Sequence, residues 1–215
     1  MPVYVARRAR GPMNIDGILA APDWDRAAPT PAFTRSLDGR KGFAQTEARL
    51  LWDDQNLYVA FQMEDTRIST PFLKDDEQLY TSNVVEIFLI PGNPLGPYAE
   101  IELAPSNALF DARFTGRRQG MDLAWSSGTR HAVHLDGTLN DDSDQDKGWS
   151  GELAIPLAGL PGVKGPVPQK GERWRMNLYR LMQGPRQPNE GQAWSPPRIG
   201  DFHAIDKFGT LEFGE

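Results

Sequence analysis

A carboxylate in an otherwise apolar strand is the feature of this sequence best suited to chemistry. The run Val84–Ile90 predicts a strand in which Glu86 is the one charged side chain. A buried charge without a partner costs several kcal/mol, so Glu86 must be solvated, paired or bound to a ligand. Tyr80 stands six residues earlier, just before the strand. Tyr80 therefore places an aromatic ring at the lip of whichever face of the sheet Glu86 occupies.

Further charged side chains fall on the next two predicted strands, Tyr98 to Ala104 and Ala108 to Phe114. Alternation places the apolar residues of both strands inward and the polar residues outward. If the strands pair in order, one polar face collects Glu86, Glu100, Glu102, Asp111 and Arg113. Like charges on adjacent strands are destabilising, so this face needs a cation, Arg113 or a hydrogen-bonding ligand. A solvated face of an open sheet is the alternative.

A loop dense in carboxylates lies between two later strands, at residues 137–148. Asp142, Asp144 and Asp146 occupy alternating positions, as oxygen ligands do at the start of a calcium loop. Gly148 comes one place late for an EF-hand, and the closing glutamate is missing. The loop therefore predicts either a structural calcium site or a solvated acidic hairpin.

Composition excludes several classes of function. The net charge of the 215 residues is -6, and no basic patch interleaved with aromatic residues is visible, so nucleic acid is not expected as a partner. Without cysteine there are no disulfides, zinc thiolates, thiol catalysis or covalent haem. No run approaches the roughly 18 apolar residues of a membrane span. The first residues lack the apolar core of a signal peptide, which makes the cytoplasm the default expectation.

Turn residues divide the chain into short segments. The 21 glycines and 18 prolines are spaced as in an antiparallel β-sandwich rather than in βα units. We expect one domain over residues 1–215, with short helical turns in the loops, one of them at 22–28. The predicted strands begin at Val3, Thr46, Leu57, Val84, Tyr98, Ala108, His131, Trp149, Trp174 and Phe208.

Five motifs follow one another over nearly the whole chain. They are Ile15-Asp16-Gly17 with Asp23-Trp24, Leu51-Trp52-Asp53-Asp54-Gln55-Asn56-Leu57-Tyr58-Val59, Val84-Val85-Glu86-Ile87-Phe88, Gly148-Trp149-Ser150-Gly151-Glu152-Leu153-Ala154-Ile155-Pro156 and Phe208-Gly209-Thr210-Leu211. Together they resemble family 9 carbohydrate-binding modules. The resemblance implies a β-sandwich of the DOMON-like type that binds sugars without cleaving them, often at chain ends. In some members it also implies structural calcium.

The resemblance also implies a set of ligand-binding residues. In the family two aromatic rings enclose a sugar, and here they correspond to Tyr80 and Trp194, while the family's glutamate corresponds to Glu86. The family binds hydroxyl groups with amides and an arginine as well. Here Glu100 or Glu102 stands about where an amide is expected.

Two further residues complete the predicted site. Arg113 is the candidate for the family's arginine, and Asn177 lies on the outer side of a later strand. We expect Tyr80, Glu86 and Trp194 to form one site with help from Glu100, Arg113 and Asn177.

Two other functions remain open at this stage. Clustered glutamates could form a glycosidase pair, which requires carboxyl separations of about 5–5.5 Å or 6.5–9.5 Å. Some relatives with this sandwich bind haem b through methionine with histidine or lysine. The candidates here are Met63, Met176, Met182, His131, His134 and His203. The resemblance leaves two alternatives for the partner: the protein acts alone, or it acts beside a glycoside hydrolase.

Overall fold

The computed structural model describes residues 1–163, 165, 168–184 and 188–215. These residues form twelve strands and three single-turn 3-10 helices. The strands are β1 (Val3–Arg8), β2 (Thr34–Arg35), β3 (Thr46–Trp52), β4 (Asn56–Glu64), β5 (Val84–Ile90), β6 (Tyr98–Leu103), β7 (Leu109–Phe114), β8 (Arg130–Asp136), β9 (Gly148–Pro156), β10 (Arg173–Met182), β11 (Glu190–Ala193) and β12 (Gly209–Phe213). The 3-10 helices are Trp24–Arg26, Leu79–Thr81 and Ile205–Lys207.

The all-β prediction is therefore confirmed, including a helical turn within residues 22–28. Across the described ranges, no helix combines the length and apolar character that crossing a bilayer requires.

The strands form one mixed sheet in the order β7-β6-β5-β10-β12-β1-β3-β4-β9-β8, and off this path β11 pairs with β10 and β2 pairs with β11. Most neighbours are antiparallel, but β1 runs parallel to both β12 and β3. Turn spacing predicted a purely antiparallel arrangement, and this prediction is wrong at β1. The first four residues of β1 pair with β12 and its last two residues pair with β3, so one short strand joins the two halves of the sheet.

The sheet curves until its edge strands approach each other. Asp111 on β7 accepts hydrogen bonds from the amide and hydroxyl of Ser127, at 2.7 and 2.6 Å, shortly before β8 begins. The architecture is therefore barrel-like. The main core fills the space enclosed by the sheet and contains inward side chains of both halves, such as Leu50, Ile87 and Leu153.

A second apolar layer covers part of the outer surface of the sheet. Its members, here called the outer cluster, include Phe88, Tyr98, Phe110, Phe114, Tyr179 and Phe208. They lie on β5, β6, β7 and β10 and on the loop before β12, and the loops that carry Leu79 and Ile205 pack on them. The candidate site lies on this same outer face of the sheet.

The prediction that the alternating apolar residues of β7, such as Phe110 and Ala112, face inward is wrong, because they belong to the outer cluster. Phe110 pairs with Glu102 and Ala112 with Glu100, so the apolar residues of β7 share the outer face with the glutamates. Arg113 pairs with Ala99 and lies on the opposite face. Alternation shows that one face is apolar, but it does not show which side of the sheet another segment covers.

Candidate functional site

Three glutamates meet on the outer face of β5 and β6. Glu86 on β5 lies directly opposite Glu102 on β6, and Glu100 follows one pleat along β6. One carboxylate oxygen from each lies within 4.8 Å of the others. These three residues are called the carboxyl triad below. The sequence prediction that Glu86 shares a face with Glu100 and Glu102 is confirmed by this register.

The carboxyl triad is almost completely removed from water. Relative exposure is 2% for Glu86, 5% for Glu100 and 0% for Glu102. Burial raises the pKa of all three carboxyls, that of Glu100 to about 7, and mutual repulsion adds to the upward shifts of Glu86 and Glu102. Such carboxyls share protons near neutral pH and can act as hydrogen-bond donors as well as acceptors.

A cleft of about 600 Å³ opens beside the carboxyl triad. Glu86 and Glu100 line it directly, and Tyr80 lies along it with 39% of its surface exposed. The remaining lining residues come from the ends of neighbouring strands and from loops, namely Ser36, Leu37, Phe114, Arg118, Met121, Leu181, Asn189, Gly191, Gly200, Phe202 and His203. The cleft therefore combines buried carboxyls with aromatic rings and hydrogen-bond donors.

A fixed polar network forms one part of the cleft. Nδ1 of His203 lies 2.7 Å from the hydroxyl of Tyr98, and that hydroxyl accepts a hydrogen bond of 3.2 Å from the backbone amide of Arg118. Burial and the nearby Arg118 lower the pKa of His203 to about 4, so its ring is neutral at neutral pH. The tautomer that satisfies these contacts carries its proton on Nε2, which lies 3.9 Å from Glu100.

The guanidinium of Arg118 is held at the cleft by a carboxylate. It donates two hydrogen bonds to Asp201, at 3.0 and 2.8 Å, while Arg117 donates to the other oxygen. Both Arg118 donors bind the same carboxylate oxygen, and two such charge-assisted hydrogen bonds fix the direction of the guanidinium.

Two aromatic rings border the cleft. Tyr80 makes an edge contact with Phe110 at a centroid distance of 5.4 Å, which supports one side of its ring. Phe202 stacks on Tyr179 at 4.1 Å with an interplanar angle of 8°, and its ring is half-buried. An apolar face of a ligand can therefore contact either ring.

Trp194, the predicted second sugar-binding aromatic, lies elsewhere. It is 7% exposed and packs in the main core, on the other side of the sheet from Glu86. It packs so tightly that a Cβ added to Gly209 would lie 2.3 Å from its ring. This contact gives the glycine of the Phe-Gly-Thr-Leu motif a packing role.

Asn177 and Arg113 also lie outside the cleft. The buried amide of Asn177 donates to the carbonyl of Ser195 at 2.8 Å and accepts from the Ser195 amide at 3.0 Å, which ties β10 to the following loop. Arg113 pairs with Asp122 at 2.8 Å. The structure thus brings together Tyr80, Glu86 and Glu100 but not the other three predicted residues.

Sequence reasoning missed most of the residues that line the cleft, including four with side chains suited to ligand contact. Arg118, Asn189, Phe202 and His203 all lie in loops, and no periodic pattern marks them. His203 is one of the haem candidates; among the others Met63 and Met176 lie in the main core. The sequence signal that could have drawn attention to Arg118 is the Arg117-Arg118 pair directly after β7.

The predicted calcium loop places its three carboxylates in separate interactions. Asp146 is buried and accepts hydrogen bonds from the amides of Ile68 and Thr138, at 2.6 and 2.7 Å. Asp144 accepts from the hydroxyl of Thr138, and Asp142 pairs with Arg67. Over the described ranges, the carboxyl triad is the one group whose spacing suits a metal ion. Calcium at Asp142, Asp144 and Asp146 stays a prediction, and it requires the loop to rearrange.

Known proteins resemble this chain in sequence. A family model described as "Carbohydrate family 9 binding domain-like" matches residues 15–100, the part that includes Tyr80 and the carboxyl triad's Glu86. A protein of Arthroderma benhamiae named "Extracellular protein" is 28% identical over 195 residues, which cover 84% of this chain and 84% of that protein. The resemblance to family 9 carbohydrate-binding modules is thereby confirmed.

Solved structures share the fold. A "putative carbohydrate-binding protein" from Bacteroides uniformis matches with a TM-score of 0.76 at 15% identity, covering 98% of this chain and 97% of that one. A family 9 module from Caldicellulosiruptor kristjanssonii in complex with cellotriose matches with a TM-score of 0.67 at 16% identity, covering 99% and 94%. The same organism's module in complex with glucose gives 0.65 at 16% identity, covering 99% and 95%. At these identities the likeness concerns the fold.

Proposed function

We propose that this chain, which resembles family 9 carbohydrate-binding modules, binds a sugar in the cleft beside the carboxyl triad and does not cleave it. The observation that carries the proposal is the position of Glu86. This residue lies within the matched family segment, and it borders an open cleft together with Tyr80.

Each part of the cleft has a role in this proposal. Tyr80 and Phe202 contact the C–H faces of the ring, and Glu86 and Glu100 hydrogen-bond to its hydroxyl groups. One stack contributes roughly 0.5–1.5 kcal/mol beyond area burial, and a hydrogen bond to a charged group about 1.5–3 kcal/mol. Association costs roughly 4–15 kcal/mol, so we expect affinities between about 1 mM and 1 µM.

Calorimetric titration of the full chain with glucose, cellotriose and other simple sugars tests the proposal. We expect saturable binding that Glu86→Gln weakens by about tenfold or more, the effect of losing one charged hydrogen bond. Glu212→Gln is the matched control, because it removes one carboxylate that pairs with Arg173 on the surface. The proposal fails if no sugar binds, or if Glu86→Gln binds like the parent.

A non-catalytic role has its own test. Incubation with an oligosaccharide that binds should release no reducing sugar, even though the carboxyl triad resembles the acid and base pair of a glycosidase. A glycoside hydrolase partner, as such modules often have, would show more activity on an insoluble polysaccharide when fused or mixed with this chain than when alone.

A further inference from the structure

We propose that the carboxyl triad selects a positively charged ligand, and that the sugar held in the cleft is an amino sugar whose ammonium group binds at Glu86 and Glu100. Glu102 lies behind these two residues and adds its charge. This inference rests on the proposed carbohydrate-binding function and names the class of sugar.

The first argument is the surplus of negative charge beside the cleft. Three carboxyl groups lie within 4.8 Å, and neither oxygen of the fully buried Glu102 has a hydrogen-bond partner of normal geometry, although the Tyr80 amide and Glu100 are close enough to affect its pKa. A buried polar group without a partner costs about 1–3 kcal/mol, and more when it is charged. A neutral hydroxyl group of a sugar does not offset this charge.

The second argument is the lack of a balancing cation in the protein. Within the described part of the chain, no lysine or arginine forms an ion pair with the carboxyl triad. Arg118 is paired with Asp201, and its charge lowers the pKa of Glu100 without cancelling the upward shift that burial causes; the nearby His203 is neutral. The charge can therefore be balanced by protons when the cleft is empty, and by a cation of the ligand when it is filled.

An ammonium group fits this position better than a metal ion does. It carries three N–H donors on a compact charge, and its hydrogen bonds to carboxylates of about 2.8 Å are among the stronger ones in proteins. A calcium ion takes six to eight oxygen ligands. Beside the carboxyl triad the cleft presents the side-chain oxygens of Ser36, Tyr80 and Asn189, but also the positive charge of Arg118, which repels a divalent ion more strongly than a monovalent ammonium group.

The exchange of a cation for protons has a measurable consequence. At neutral pH the free site holds protons, because the pKa of Glu100 is about 7 and those of Glu86 and Glu102 are also raised. An ammonium favours the ionised carboxylates, so binding should release protons to the solvent. The affinity should then rise as the pH increases from 5 to 7, as long as the amine stays charged.

The experiment is calorimetry of the full chain with glucosamine, N-acetylglucosamine and glucose at pH 7, in buffers of different ionisation enthalpy. We expect glucosamine to bind about tenfold more tightly than the two neutral sugars, the effect of one charged hydrogen bond. We also expect its binding heat to depend on the buffer, because protons are released. Glu102→Gln should reduce this preference, and the control Glu212→Gln should keep the parent's preference.

Two outcomes overturn the inference alone: glucose binds and glucosamine binds no better, or sugar binding requires added calcium and is lost with a chelator. In the second case the cation on which sugar binding depends is calcium and not the ammonium group of the sugar. If none of the sugars binds, the proposed function itself fails and the inference fails with it.

Discussion

The indole N–H of Trp24 donates a hydrogen bond of 2.6 Å to the buried carboxylate of Glu152 on β9. The other carboxylate oxygen accepts hydrogen bonds from the amides of Asp16 and Gly17, both at 2.9 Å. Gly17 has φ +81°, and a Cβ there would lie 2.5 Å from the backbone of Val133. The motif that contains Asp16, Gly17 and Trp24 thus meets the motif that contains Glu152, although the two are far apart in the sequence. This structural contact is separate from the ligand cleft.

This contact predicts a large stability effect for Glu152→Gln. The introduced side-chain amide would turn its N–H₂ group towards N–H donors, so at least one of the three hydrogen bonds is lost and a donor is left buried. We expect the free energy of unfolding to fall by about 2–4 kcal/mol in urea denaturation. The surface control Glu212→Gln should change it by at most about 1 kcal/mol. A Glu152→Gln protein as stable as the parent would contradict this assignment.

The carboxyl triad predicts that stability falls as the pH rises. A carboxyl whose pKa is higher in the folded than in the unfolded chain binds more protons when folded, so folding is favoured at low pH. For Glu100 the loss begins near 4.5 and is complete above about 7. One pKa unit corresponds to about 1.4 kcal/mol, so the effect should reach a few kcal/mol.

Glu102→Gln tests this pH dependence. Removing one of the three charges should make the variant more stable than the parent at pH 8, with little difference at pH 4.5. Denaturation curves at a series of pH values measure the difference. The same difference at both pH values would show that the carboxyl triad does not titrate as described.

The exposed ring of Tyr80 predicts a ligand contact rather than a packing role. Tyr80→Ala should weaken sugar binding by about 0.5–1.5 kcal/mol, and Tyr80→Phe should retain most of the affinity because the ring remains. Titration of both variants with the same sugar measures this. Equal losses in the two variants would mean that the hydroxyl group, rather than the ring face, makes the contact.

For Trp194 we expect substitutions to change stability and not sugar binding. Its indole fills space in the main core, so Trp194→Ala should destabilise the protein by about 3–5 kcal/mol. Trp194→Phe, the milder variant, should keep the affinity for the sugar under conditions in which it is folded. A folded Trp194→Phe protein that had lost sugar binding would restore Trp194 to the ligand site.

Variants in the loop at residues 137–148 distinguish a structural role of its carboxylates from a role in calcium binding. Asp146→Asn should lower the melting temperature with or without calcium, because the Asp146 carboxylate accepts two backbone hydrogen bonds. If calcium binds there, a chelator should lower the melting temperature of the parent, because an ion that binds only the folded state stabilises it. The double variant Asp142→Asn and Asp144→Asn should then lose this response. No shift with chelator on metal-free protein would leave a solvated hairpin.

Much of the fold could be predicted from local patterns. Alternation over Val84–Ile90 gives β5 with the observed bounds, and the Asp-Asp-Gln-Asn turn gives the β3–β4 hairpin. The two-residue β2 and the four-residue β11 were not predicted, because strands of this length have too few residues to show a period.

The candidate site was predictable only where strands form it. Glu86 and Glu100 follow from period two and pairing of neighbours, whereas His203 and Phe202 reach the cleft through a loop whose course depends on tertiary packing. The position of the Trp194 ring could not be predicted from the sequence either. Its place before the last strand says nothing about which face of the sheet its ring enters.

The parallel pairing of β1 with β12 has a consequence for biogenesis. Val3 lies beside Thr210, so this pairing joins residues that are far apart in the sequence. Contacts of such high sequence separation slow folding, and this one cannot form before β12 has been synthesised. Until Gly209–Phe213 has emerged, one side of β1 and one side of β10 remain unpaired edges open to other chains. We expect the sheet to be completed only after Gly209–Phe213 has emerged, and the chain to need protection from aggregation during that interval.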